Sequence, residues 1–424
     1  MIRFLLKGLI RDRHRSLLPI VVTALGVMLT VVFHSWLTGV LVDSIEYNAR
    51  FSSGHVKVMT PAYRNNMKQM PNDLAILDAG QMMDSLQVLF PFMDWVERTH
   101  FAGLIDVPDD NGETLIQGNA LGIAIDLLST GSLEAGRLKL QESLRTGNLP
   151  AHPGEALMSH EFSLKLGIKP GDVFTLIGST MYRELAVYNF ILSGTVEFGT
   201  TALDRGSVIV DLQDARLALN MVDATGEILG FNASGYFDQE VIQEVINDFN
   251  SRFHDPEDQF STVMISLRDQ NNMGTFLDYS TKLIGILLVI FITAMAIILW
   301  NAGLLGGLRR YGEFGMRLAI GEEKNHVYRT MIYESLIIGI LGSVTGVFLG
   351  MLIAYYLQKN GIDLGIMMKN ATIMIPSVFH AKITTQTWYI GFIPGVVSAL
   401  IGTMLAGIGI YKRQTARLIK ELQA

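Results

Sequence analysis

The sequence predicts an α-helical membrane protein with four transmembrane helices and a large α+β extracytoplasmic domain inserted between helices 1 and 2. Four apolar runs reach about 20 residues, the length that a helix needs to cross a bilayer. The charges are also unevenly divided, because residues 43–278 hold 33 acids and 15 bases while the remainder carries a net charge of +11. Hydrophobic residues make up 49% of the chain, which fits a mixture of membrane helices and a water-exposed domain.

The first predicted feature is the set of apolar spans. They lie at 17–42, 283–305, 332–357 and 388–411. Tyr355 and Trp388 stand at span ends, as in the aromatic belts of membrane proteins. The first run is longer than the core of a signal peptide, and no small-x-small cleavage pattern follows Val42, so we interpret it as an uncleaved anchor.

Lysine and arginine set the expected orientation. Basic clusters occur in three segments, 1–16, 306–330 and 412–424. Cytoplasmic segments of membrane proteins are enriched in these residues, so both termini and the segment 306–330 are expected in the cytoplasm. The acidic stretch 43–278 and the connection 358–387 are then extracytoplasmic. Because the basic residues flank apolar runs instead of forming one stripe, we do not expect nucleic acid as a partner.

The inserted domain shows mixed local patterns. Strands are predicted where apolar and polar residues alternate, at 55–59, 173–177 and 207–211. Helices are predicted at 155–167, ending at Gly167, and at 238–253, with Asp238 as N-cap.

Catalytic and metal-binding patterns are weak. The chain has no cysteine, which excludes disulfides, zinc–thiolate sites and cysteine nucleophiles. The histidines are scattered without an HExxH motif, and the acidic stretch 109–113 lacks the ligand spacing of a calcium loop. We predict no catalytic residue, no metal site and no cofactor in this chain. The methionines at 67, 70, 82, 83 and 93 either pack in a core or form an adaptable apolar surface.

The segment between spans 2 and 3 predicts a short amphipathic helix at the membrane surface. Glu313 and Arg317 are four residues apart, in the favourable order for an ion pair, and Gly321 ends the helical pattern. A plain positive-inside linker is the alternative interpretation.

The third and fourth spans carry packing signals. Gly342, Gly346 and Gly350 form a row of small residues, which serves either intramolecular packing or a subunit interface. Glu334 lies in the first turn of span 3, where we favour a structural contact. Pro394 predicts a kink in span 4. His34 in span 1 is expected to hydrogen-bond to a neighbour.

Three segments resemble the MacB/LolC/LolE/FtsX-like permeases of ABC transporters, and among them the lipoprotein-releasing LolC/LolE type most. EFGMRLAIG at 313–321 resembles the family's E-I-G-x-x-R-A-x-G coupling helix, although Leu318 intervenes before Ala319. YESLIIGILG at 333–342 and LKLGIKPGD at 164–172 are similar to two further family segments. The tail lacks the family's P-x-x-A-L-R ending.

The resemblance implies a multi-pass permease of the bacterial inner membrane in which Glu313, Gly315, Arg317 and Gly321 contact an ATPase. No GxxxxGK[ST] loop occurs, so ATP and magnesium are expected in a separate ATP-binding subunit dimer. The other implied partners are a second copy or a related permease chain, a soluble periplasmic carrier and membrane lipids. Lipoprotein release is the favoured role; the alternatives are macrolide or peptide efflux and an FtsX-like regulator of a cell-wall hydrolase.

Overall fold

The computed structural model describes most of the chain, in the ranges 13–109, 112–199, 201–233, 235–270, 272–308, 311–364 and 378–412. The chain divides into two compact units. Residues 43–277 with 363–377 are called the inserted domain, and residues 1–42, 278–362 and 378–424 are called the helical unit. The predicted terminal segments 1–16 and 412–424 lie almost wholly outside the described residues.

The helices are numbered in chain order. They are α1 (Arg13–Asn48), α2 (Pro61–Asn66), α3 (Ala79–Leu89), α4 (Glu134–Arg137), α5 (Leu140–Ser143), α6 (His160–Leu166), α7 (Thr201–Asp204), α8 (Leu212–Leu219), α9 (Gln239–Phe253), α10 (Met273–Leu308), α11 (Tyr311–Ala319), α12 (Lys324–Asn360), α13 (Thr385–Ile390) and α14 (Phe392–Lys412). A π-helical turn, Ala49–Ser53, follows α1 directly.

The strands are numbered in the same way. They are β1 (Val56–Met59), β2 (Ile76–Leu77), β3 (Met93–Pro108), β4 (Thr114–Ile125), β5 (Leu144–Gly147), β6 (Glu155–Ser159), β7 (Val173–Ser179), β8 (Leu185–Val196), β9 (Ser207–Asp211), β10 (Ala224–Thr225), β11 (Glu227–Asn232), β12 (Val263–Ser266), β13 (Ile362–Asp363) and β14 (Val378–Phe379).

Six strands of the inserted domain close into a barrel. The order of hydrogen-bonded neighbours is β3, β4, β9, β6, β8 and β7, and β7 pairs back with β3. The pairs β4–β9 and β6–β8 are parallel, and the other pairs are antiparallel. Phe101, Phe174 and Phe190 are buried in the core of this barrel, together with Phe162 of α6.

The first half of β3 also pairs with strands outside the barrel. It pairs with β11, which continues through β1 to β12 at the edge of the sheet. Helices α3 and α9 cover one face of these strands and contribute Leu86 and Phe249 to a second core around Trp95. The side chain of Asn250 fixes α9 to β12, because it accepts from the backbone N–H of Met264 at 2.8 Å and donates to its carbonyl oxygen at 2.9 Å.

The predicted strands of the inserted domain are confirmed, and one helix prediction is half wrong. Residues 155–159 form β6 instead of helix, because Ala156 to Met158 are buried between β8 and β9. A short apolar run buried on both faces has no alternation to distinguish it from helix. The helix begins only at His160 and ends as predicted at Gly167, whose φ is +71°. Helix α9 is confirmed, with the Asp238 carboxylate accepting from the N–H of Glu240 at 3.0 Å.

Four helical stretches of the described chain are long and apolar enough to cross a membrane. They are Leu17–Ser53, Met273–Ile298, Lys324–Asn360 and Thr385–Leu405. Each overlaps one of the four apolar runs found in the sequence. The ends of the predicted connection 358–387 are helical, since α12 continues to Asn360 and α13 begins at Thr385.

The glycine row of α12 faces α1. A Cβ atom placed on Gly346 would lie 2.5 Å from the carbonyl oxygen of Ala24 and 2.8 Å from Cβ of Val27. Gly342 and Gly350 meet Thr23 and Val31 of the same helix in the same way. This row therefore lies at an intramolecular helix–helix contact.

The fourth apolar segment is interrupted, as Pro394 predicts. Helix α13 ends at Ile390, and α14 begins at Phe392 after Gly391. Proline has no N–H to donate to the carbonyl four residues earlier, so the helical hydrogen-bond pattern breaks at this point. The predicted hydrogen bond of His34 is also present, between its Nδ1 and Oγ1 of Thr387 at 3.3 Å.

Candidate coupling site

Helix α11 and the turn after it form the candidate coupling site. The helix ends in a turn centred on Gly321, whose φ of +100° is easily adopted only by glycine. The N–H of Gly321 donates to the carbonyl of Leu318 at 3.1 Å, and the N–H of Glu322 donates to the carbonyl of Arg317 at 3.1 Å. This is the Schellman arrangement, in which two otherwise unpaired helix carbonyls are satisfied. The predicted helix stop at Gly321 is therefore confirmed.

An ion pair closes the same turn through side chains. Nε of Arg317 lies 2.6 Å from one oxygen of Glu322, and Nη2 lies 2.6 Å from the other. Two parallel bonds of this kind hold the planar guanidinium and the carboxylate in one orientation. The hydrogen bond from Arg317 lowers the pKa of Glu322 and outweighs the opposing effect of burial, and the charges of Arg317 and His326 add to the lowering.

The sequence motifs do not identify Glu322 as part of this site. The available signal was an acidic residue directly after the helix-ending glycine, five positions from Arg317. The ion pair predicted between Glu313 and Arg317 remains a prediction, because the Glu313 side chain lies outside the described part of the chain. The pair that is described joins Arg317 to Glu322 and fixes how α11 leads into α12.

The surface of α11 is partly apolar. Met316 is 58% exposed and Ile320 is 81% exposed, and four residues of separation put them on one face of the helix. Gly315 is buried, and Glu334, in the third turn of α12, is half-buried. Met316 and Ile320 therefore give this part of α11 an exposed apolar face.

In the described ranges, the other sequence candidates take part in ordinary structural contacts. Among the described residues no group of three or more His, Asp or Glu is placed to hold a metal ion. The backbone N–H of Glu113 donates to the Asp109 carboxylate at 2.8 Å, which is an ordinary turn contact. His160 contacts the Thr195 hydroxyl at 3.0 Å.

The part of the chain that contains this site is similar to known permeases. Residues 285–415 match the family model described as the FtsX-like permease C-terminal domain. Over 228 residues the chain is 25% identical to the lipoprotein-releasing system transmembrane protein LolC of Xylella fastidiosa, in strains Temecula1 and 9a5c. These two similarities support an ABC permease of the FtsX/LolC type.

The extent of these similarities is limited. The LolC alignment covers 52% of this chain and 53% of the relative, so the chain spans about half the length of the curated relatives it matches. A crystal structure of the periplasmic region of MacB from Actinobacillus actinomycetemcomitans is similar at a TM-score of 0.33 and 11% identity, covering 50% of this chain and 89% of that one. The family model contains α11, the Gly321 turn and α12. The similarity to LolC and the four apolar helices indicate a protein of the inner membrane.

Proposed function

We propose that this permease couples ATP hydrolysis by a separate ATPase subunit to the release or export of a substrate at the outer face of the inner membrane. The observation that carries the proposal is the geometry of α11, a short helix with exposed Met316 and Ile320 and a fixed turn at its end. It lies between the second and third apolar helices, inside the segment that matches the family model.

In this proposal, movement passes from α11 to α12 and then to α1. The Arg317–Glu322 pair and the Gly321 backbone turn make α11 and the start of α12 move as one piece. The glycine row of α12 then transmits that movement to α1 through direct backbone contact. Closure of an ATPase dimer beneath α11 would thus become a rigid-body movement of helices, with ATP and magnesium held by the ATPase.

Lipoprotein is the substrate class that we propose. The support is the similarity to LolC, which is a transmembrane protein of a lipoprotein-releasing system. A second copy or a related permease chain completes the transporter, and a soluble periplasmic carrier receives the substrate. The basic clusters at 1–16, 306–330 and 412–424 support cytoplasmic termini and a cytoplasmic α11.

The test begins with purification of the tagged chain from its native membrane in mild detergent, followed by mass spectrometry. We expect a co-purifying ATP-binding subunit and an acylated protein. A cell-wall hydrolase in place of an acylated protein would support the regulator alternative, and absence of any ATP-binding chain would contradict the proposal.

The coupling role of the turn is tested by variants of the Arg317–Glu322 pair. We expect Arg317→Gln to abolish most transport while ATP hydrolysis and membrane insertion persist, because the carboxylate of Glu322 loses both bonds. The charge-exchanged variant Arg317→Glu/Glu322→Arg should recover transport, and Glu323→Gln at the neighbouring exposed position is the matched control. Full transport by Arg317→Gln would show that the turn does not carry the coupling.

A further inference from the structure

A polar cavity of about 410 Å³ lies within the inserted domain. Its wall is formed by the end of α1 and the π-helical turn, by α4 and the residues beside it, and by β11 and the turn after it. Three cationic side chains line the cavity together with two carboxylates. The cations are Arg50, Arg137 and Lys139, and the carboxylates are Glu46 and Asp94. Positive charge is therefore in excess on this wall.

A buried ion network places Arg137 on the wall. The Glu134 side chain is 1% exposed, and its two oxygens accept from Nε of Arg98 at 2.7 Å and from Nη1 of Arg137 at 2.9 Å. The guanidinium carbon of Arg137 also lies 3.9 Å from the centre of the Phe231 ring, which is a cation–π contact. These contacts hold the guanidinium in place before any ligand arrives, and a site of this kind loses less entropy on binding.

Arg50 is fixed through its backbone, while its side chain is available. Nη1 of the buried Arg98 donates to the carbonyl oxygen of Arg50 at 2.7 Å and so holds the π-helical turn. Within the described parts of the chain, the Arg50 guanidinium makes no hydrogen bond or ion pair. A guanidinium has five N–H donors in a planar fork that matches the oxygens of phosphate and carboxylate groups. Arg50 therefore offers unused donors to the cavity.

Lys139 has a backbone conformation that is uncommon for a lysine. Its φ of 53° and ψ of 39° lie in the left-handed region, which glycine adopts most easily. Its Nζ lies 3.6 Å from a carboxylate oxygen of Glu142, and both side chains are more than half exposed. Such a long and exposed ion pair contributes little. Unfavourable backbone conformations occur often at binding sites, so this position is consistent with a lysine that serves a ligand.

The Glu46 carboxylate is already engaged by the protein. One oxygen lies 3.2 Å from Nε2 of His55, and the other accepts from the backbone N–H of Phe237 at 3.0 Å. Nδ1 of His55 accepts from the backbone N–H of Asn232 at 3.0 Å, so the ring proton is on Nε2 and is donated to Glu46. Glu46 is therefore satisfied by groups other than the cations of the wall.

Asp94 is the second carboxylate of the wall, and its interaction is weaker. It lies 3.5 Å from Nη2 of Arg137, and its side chain is 44% exposed, so water and salt screen its charge. Arg50 and Lys139 thus remain without a close counter-ion among the described residues.

We propose that this cavity binds a single phosphate group, as a monoester or a diester. Phosphate oxygens point in several directions, so they can accept from Arg50, Arg137 and Lys139, which reach the cavity from two segments distant in sequence. A carboxylate has only two oxygens in one plane and would satisfy fewer of these donors. The volume corresponds to about fourteen water-sized groups at roughly 30 Å³ each, so a phosphate that carries a small group such as glycerol fits.

The inference does not depend on the proposed transport function, because it concerns the inserted domain alone. The headgroup of a phospholipid and a soluble phosphate ester share this chemistry. The experiment therefore contains both, as phosphatidylglycerol and as glycerol 3-phosphate.

The test measures how fast phenylglyoxal, a reagent for accessible guanidinium groups, modifies Arg50. The full chain is purified in dodecyl maltoside, whose headgroup carries no phosphate, and the modified residues are mapped by mass spectrometry of peptides. Glycerol 3-phosphate or added phosphatidylglycerol should slow the modification of Arg50 at least about fivefold, as expected for a ligand at several times its Kd. The more effective of the two identifies the source. Arg205, exposed and outside the cavity, should react at an unchanged rate.

Sodium acetate and sodium chloride at equal ionic strength separate a phosphate site from general screening of charge. Neither should protect Arg50. Equal protection by acetate or chloride, or absence of protection by both phosphate compounds, would overturn the proposal.

Variants with opposite expected effects test the charge balance of the wall. Asp94→Asn removes the screened carboxylate and should lower the concentration of glycerol 3-phosphate that half-protects Arg50 by about two- to fivefold. Lys139→Gln should raise that concentration by a similar factor. Both side chains are exposed enough to be replaced without loss of folding, and Lys165→Gln on α6 is the matched control. A half-protecting concentration that is unchanged in Asp94→Asn and in Lys139→Gln would contradict a phosphate site here.

Discussion

At the scale of single residues, the inserted domain is distinguished by a charged group in its interior. Lys57 and Glu227 are 170 positions apart in the chain and almost fully buried, at 2% and 0% exposure. Burial alone would raise the pKa of Glu227, but the charge of Lys57, followed by the charge and hydrogen bond of His100, lowers it to about 2. Glu227 is therefore ionised at neutral pH, and its charge is balanced by Lys57.

Breaking this pair should destabilise the inserted domain strongly. In Lys57→Met the Glu227 carboxylate stays buried without its counter-ion, which costs about 3–5 kcal/mol in unfolding free energy. The double variant Lys57→Met/Glu227→Leu should recover most of that loss, because no buried charge remains. Hydrogen exchange of β1 and β11 in the full chain measures the effect, with Lys165→Met on the exposed face of α6 as control.

The same pair sets an acid dependence. Because the folded pKa of Glu227 lies below its ordinary value of 4.5, its contribution is fully present above pH 4.5 and is lost as the pH falls towards 2. The wild type should lose about 3 kcal/mol from this group over that range. An equal acid loss in the double variant would assign the effect to other carboxyl groups.

At the scale of the elements, close helix contact depends on residues without side chains. Gly346 of α12 lies against Ala24 and Val27 of α1, whereas a Cβ on Gly285 of α10 would meet nothing within 4 Å. Replacing glycine by alanine should therefore change the stability of the helical unit in opposite directions at these two positions. This contrast separates steric packing from helix propensity.

We expect Gly346→Ala to lower the stability of the helical unit by about 1–3 kcal/mol, because the new methyl group overlaps the backbone of α1. Gly285→Ala should raise it by about 0.5–1 kcal/mol, since alanine loses less backbone entropy in a helix. Thermal denaturation in detergent, followed by size-exclusion chromatography, compares the two variants. If both shift the melting temperature in the same direction, the glycine row is not a close contact.

The element scale also shows where local pattern misleads. Residues 155–159 contain the apolar run Ala156–Leu157–Met158, which is as compatible with a buried strand as with a helix. Residues 155–159 form a strand because β6 pairs with β8 and β9, and both of these strands are distant in sequence. By contrast, α9 and the stop at Gly321 were predictable because an N-cap carboxylate and a glycine of positive φ act through neighbouring backbone groups.

At the scale of the whole molecule, the division of charge predicts orientation. The acidic stretch 43–278 and the basic segment 306–330 are separated along the chain by one apolar helix, and they are expected on opposite sides of the membrane. The absence of native cysteine makes this directly measurable, because an introduced cysteine is the chain's single thiol.

In intact spheroplasts, a membrane-impermeant maleimide should label the Glu244→Cys variant and leave Glu323→Cys unlabelled until the membrane is permeabilised. Both positions are exposed, so accessibility within the fold is matched. Labelling of Glu323→Cys before permeabilisation would reverse the proposed topology and remove α11 from reach of a cytoplasmic ATPase.

The amino-acid order is sufficient for the four apolar helices, the inserted domain, the helix stop at Gly321 and the break near Pro394. These features depend on length, composition and contacts between near neighbours, which a linear pattern records. Other features are determined only by the tertiary structure. They are the closed barrel, the ion pair between Arg317 and Glu322, the contact of the glycine row with α1, and the buried cluster of Lys57, Glu227 and His100. Their groups come together across long stretches of chain or through a turn, and no local periodicity encodes which distant side chain fills the space beside another.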